Sequence, residues 1–111
     1  MNVNDHPQPR NHITHHEIKD IADRLRPHLI QLNECPADKC GDVSLYEEII
    51  AQVQKVQKQI NNDDGKSAID NTIYHLEKAI QLTKNCASNQ EILWHLQEVM
   101  AFLFKVQNLP S

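Results

Sequence analysis

The sequence predicts an all-α fold, an antiparallel up-down-up-down four-helix bundle with the first helix kinked or broken near Pro27, and three observations predict it. Only two glycines occur in 111 residues, Gly41 and Gly65, and both lie between apolar-periodic segments, so helix interiors are free of the residue that most weakens them. Thr14, Ser44, Ser67 and Ser88 each have an acid three places on (Glu17, Glu47, Asp70 and Glu91), the spacing of a capping box. Each of the four precedes a run of apolar residues at helical spacing, and the connections between runs are short, which favours antiparallel neighbours. A chain of this length builds one core, taken as residues 13–109, preceded by a flexible arm at 1–12 rich in Asn, His and Pro.

The first helix is expected from Thr14, with Ile13 and Ile18 forming a hydrophobic staple across its start. Ile18, Ile21, Ala22, Leu25, Leu29 and Leu32 then share one side of a helix. Pro27 removes a backbone donor and crowds the Asp23 carbonyl, which places the kink or break near Arg26. Residues 35–43, with Pro36 and Gly41, have the composition of a loop.

A second helix is expected from Ser44, where Leu45, Ile49, Val53, Val56 and Ile60 make a narrow apolar stripe beside a wet face of Glu, Gln and Lys. The run of Asn, Asp and Gly at 61–65 is read as its terminator, because these residues tolerate left-handed backbone and compete for local hydrogen bonds. From Ser67 the third helix buries Ile69, Ile73, Leu76 and Ile80, flanked by Ala68, Ala79 and Leu82. The fourth, from Ser88, is the most apolar, with Ile92, Leu93, Leu96, Val99, Met100, Phe102, Leu103, Phe104 and Val106. A face that wide is expected to pack against more neighbours than the others do.

A net charge of −4 and the lack of any dense Lys/Arg stripe argue against nucleic acid, whose phosphates demand concentrated positive charge. No apolar run approaches the length of a membrane span, and the N-terminal residues lack the apolar centre of a signal peptide. Three cysteines, an odd number, fit reduced thiols in a cytoplasmic protein. No nucleophile, base or paired carboxylate falls in a catalytic pattern, and no cofactor signature occurs, so the chain reads as non-enzymatic.

Two groups of metal-ligand residues stand out. His12, His15 and His16 surround the first predicted cap, and Asp63 and Asp64 are expected at the same end of the bundle. His15 and His16 point about 100° apart on a helix, however, and a helix N-terminus repels cations. Cys35, Cys40 and Cys86 lie in two loops expected at the opposite end, but Cys35 and Cys40 lack the two-residue gap common to zinc and redox pairs. His28, His75 and His95 fall at the edges of apolar stripes, where single histidines are usually satisfied boundary residues.

Trp94 is the strongest functional feature. It projects away from the apolar face of the fourth helix, among Gln97, Glu98, Ala101 and Lys105, and a large aromatic on a polar face is a typical interface anchor. A second, weaker surface is expected from Ala68, His75, Ala79 and Leu82. The reading is a small helical interaction protein of inhibitor, immunity, chaperone or adaptor type, binding a protein partner or a second copy of itself. The rival is a metal-binding bundle using the His-rich N-terminal region or the cysteine end. A ligand pocket inside the bundle ranks third, on the extra apolar area of the fourth helix alone.

Overall fold

The computed structural model of the protein describes residues 7–35 and 40–109, with side chains from His15 onward. Four helices fill it: α1 (Pro7–Glu34), α2 (Val43–Gln57), α3 (Asp63–Lys84) and α4 (Asn89–Gln107), with no strand among the described residues. α1 begins seven residues before Thr14, so part of the stretch read as a flexible arm is helical. Pro7 and Pro9 fit that start, because the first turn has no use for their missing N–H groups. Residues 1–6, Pro36 and Pro110 lie outside the described residues, as do the side chains of His12, Ile13 and Thr14. The break expected at Pro27 is absent, and α1 is one helix through it. Pro27 is exposed, so the Asp23 carbonyl deprived of its partner stands on the solvent side, where water can bond to it.

Of the four predicted caps only Ser88 holds. Its Oγ accepts the Glu91 N–H at 3.3 Å, and the Glu91 carboxylate accepts the Ser88 N–H in return. α2 is capped instead by Asp42, which accepts the Leu45 N–H at 3.1 Å. α3 is capped by Asn62, which accepts from Gly65 at 3.0 Å, so the residues read as the terminator of the second helix form the first turn of the third. Charge explains the second shift, since Asp63 and Asp64 in that first turn meet the positive end of the helix dipole. α2 ends earlier, at Gln57, and Ile60 turns back into the core from the connection.

Each helix packs on two others: α1 on α2 and α4, and α3 on α2 and α4, so the four form a ring with α1 opposite α3 and α2 opposite α4. The contact between α3 and α4 is the most extensive. Along α1 and α2 the side-chain pairs run in opposite order, with Arg24 bonded to Glu48 and Gln52, and His28 further along α1 bonded to Tyr46 earlier in α2. The ring encloses a core in which Ile18, Ile21, Leu25, Tyr46, Ile49, Val53, Ile69, Leu76 and Leu96 are fully buried. Fully burying one such aliphatic side chain is worth about 1.5–3 kcal/mol. α4 has two neighbours like the others, so its broad apolar face is not all covered, and Phe104 stays 68 % exposed.

Candidate functional site

The register of α3 against α4 creates an aromatic and imidazole cluster on one flank of the bundle. His75 on α3 and His95 on α4 meet with their Nδ1 atoms 2.8 Å apart, a hydrogen bond in which one ring donates and the other accepts. Trp94 stands edge-on to both, with ring centroids 4.8 Å from His95 and 5.8 Å from His75. Tyr74 meets the His75 ring edge at 5.1 Å, Phe102 stacks on it at 5.9 Å, and the Lys78 ammonium lies 5.6 Å from the Tyr74 ring centre. The histidines and Phe102 are half-buried, whereas Trp94 is 55 % and Tyr74 51 % exposed. Burial, reinforced by His75 and Lys78, holds His95 below the ordinary imidazole pKa, against the pull of Glu98 and Glu91. The cluster is therefore an aromatic platform with a wet rim. Its partly exposed indole and phenol carry polar tips that suit a contact with a partner.

Comparison with family models, curated proteins and solved structures finds no match to this chain.

Of the residues picked from sequence, Trp94, Gln97, Ala101 and Lys105 lie on the exposed side of α4, and Glu98 is half-buried. What sequence reasoning missed is the second half of the surface, Tyr74 with the His75–His95 pair. One signal was present: the two histidines are twenty residues apart and the 85–88 connection sits midway, so a hairpin folded there sets them opposite each other. The weaker surface expected on α3 is not one. Ala68 and Ala79 are core residues, because α2 and α4 close over both flanks of α3.

The cysteines depart from the expectation of reduced thiols. Cys35 and Cys40 are joined in a disulfide, while Cys86 is free and exposed. Both loops do meet at one end, where the Cys40 N–H donates to buried Asn89 at 3.1 Å, and Gly41 lies so close to Thr83 that a Cβ would collide with that side chain. The bonded pair supplies no thiolate to a zinc site, which leaves Cys86 as the one free thiol of the three. Beside it lies a shallow depression of about 460 Å³, lined by Pro27, Ile30, Gln31, Glu34 and Cys35, on the surface of the bundle rather than inside it. His15 is half-exposed, and His16 stands 3.8 Å from Asp20 on the open side of α1. Among the described residues no three His, Cys, Asp or Glu side chains converge on one point.

His28 is more deeply placed than a stripe edge implies. It is buried, with Nε2 2.7 Å from the Tyr46 hydroxyl and Nδ1 3.4 Å from Gln31 Oε1. The neutral tautomer with its proton on Nδ1 satisfies both contacts. Burial lowers the His28 pKa against the opposing pull of Gln31 and Asp42, and burial pushes Tyr46 up to about 12. This pair ties α1 to α2.

Proposed function

We propose that this chain is a small, non-enzymatic helical interaction protein of inhibitor, immunity, chaperone or adaptor type. It binds a protein partner or a second copy of itself through the α4 face anchored by Trp94 and bounded by Gln97, Glu98, Ala101 and Lys105. The observation that carries the reading is the exposure of Trp94 beside Tyr74 on a buttressed aromatic platform, since an indole left half in water gains most when a partner covers it. The mechanism is steric masking, with the aromatics as centre and the Glu, Gln and Lys side chains as rim. The site of action we assign is the cytoplasm, and the Cys35–Cys40 disulfide counts against that assignment, since such bonds persist mainly in oxidising compartments. No helix among the described residues is long and apolar enough to cross a membrane.

The test is Trp94→Ala, compared with the parent chain by circular dichroism and by light scattering over a range of concentrations. Helicity is expected to be unchanged and association, with itself or with a captured partner, to be lost. A variant that loses its helicity would instead place the indole in the stabilising core, and unchanged association would move the interface elsewhere.

A further inference from the structure

We propose that His75 and His95 form a two-imidazole site for a divalent ion of tetragonal preference, copper(II) or nickel(II), at the α3–α4 seam beside Trp94. The geometry points there because a metal bonds imidazole nitrogen at about 2.0–2.1 Å, so two such ligands at a right angle have nitrogens roughly 2.9 Å apart. The two Nδ1 atoms stand 2.8 Å apart, and the ring centroids 5.1 Å apart. A metal can thus sit between the two nitrogens once each ring turns by roughly 45° to aim its lone pair at the ion. No proton need leave: the ring that carries its hydrogen on Nδ1 shifts it to Nε2, and both Nδ1 lone pairs then face the ion. The rings come from two helices whose mutual contact is the most extensive in the bundle, so the pair is held before any ion arrives. Among the charges around it, Lys78 opposes a cation and acts on His95 more strongly than either Glu98 or Glu91, which favour one, so the site relies on the nitrogen ligands rather than on charge. With no third described ligand converging, water completes the coordination, which favours the ions that bind nitrogen most strongly.

The inference does not depend on the protein-binding reading, and Trp94 makes it measurable. Nickel(II) is the probe, because it quenches a neighbouring indole and does not oxidise the exposed Cys86 thiol. Titration into the full chain near neutral pH is expected to quench Trp94 fluorescence to saturation. His75→Gln and His95→Gln should each weaken the effect by more than ~10-fold, the loss that removing even a supporting partner of a metal ligand produces. A His15→Gln/His16→Gln double variant should retain it. Absence of saturable quenching, or quenching that survives both His75→Gln and His95→Gln, overturns the proposal. Should those variants unfold, paramagnetic broadening in the parent chain decides. Broadening centred on the Trp94, His75 and His95 ring resonances supports the site, and broadening confined to His15 and His16 refutes it.

Discussion

Cys86 adopts φ 57°, the left-handed conformation that glycine takes without penalty. It does so because α3 ends in a Schellman motif, in which the Ala87 N–H donates to Leu82 O at 2.9 Å and the Cys86 N–H to Thr83 O at 3.2 Å. Cys86→Gly should therefore hold or raise the melting temperature, whereas Cys86→Val, β-branched and more strongly opposed to this backbone, should lower it, since left-handed backbone costs such a residue about 1–3 kcal/mol, of which Cys86 already bears a part. Thermal melts of the three chains test this. The buried His28 makes a pH prediction. Its folded pKa lies below the ordinary 6.5, so between that folded value and 6.5 the unfolded chain takes up a proton that the native chain refuses. Its contribution is present above pH 6.5 and is lost as pH falls through the folded value. Denaturant titrations at pH 7.5 and 5.5 should show a fall that is smaller in His28→Gln. An equal fall in both chains would assign the acid sensitivity to other groups.

At the scale of the helix, the Ser/Thr-x-x-acid spacing was legible four times and correct once. The reason is that i, i+3 polar pairs also arise along the wet face of any amphipathic helix, where Glu47 and Asp70 are exposed. Stronger caps just upstream, Asp42 and Asn62, start α2 and α3 earlier and leave Ser44 and Ser67 inside them. Ser88→Ala should cost about 1 kcal/mol by removing an N-cap, and Ser67→Ala should be within ~0.5 kcal/mol of neutral or stabilising, since alanine suits an exposed helix interior. Equal losses from the two changes, measured by chemical denaturation, would contradict the assigned caps. Pro27 carries a related lesson. A proline in a periodic segment marks a lost hydrogen bond, but on a solvent-facing side that bond is exchanged for water and the helix continues.

For the whole molecule, the ring of four helices decides which apolar residues are core. Leu96 is fully buried and Phe104 is 68 % exposed, although both belong to the apolar face read from the sequence. Leu96→Ala should cost about 2–5 kcal/mol through the cavity it leaves, and Phe104→Ala should stay within ~0.5 kcal/mol, as judged from denaturation midpoints. A large loss at Phe104 would mean that the native chain covers that ring, as an oligomer contact would. The number of helices, their apolar stripes and the outward direction of Trp94 were determined by the sequence alone, because 3.6-residue periodicity is a local property that needs no knowledge of neighbours. The tertiary structure decided what meets what: His75 with His95, His28 with Tyr46, Cys35 with Cys40, and which side of α4 stays in water. Those pairings depend on the register and order of helices around the core. Burial and packing select that order from many arrangements that share the same pattern of stripes.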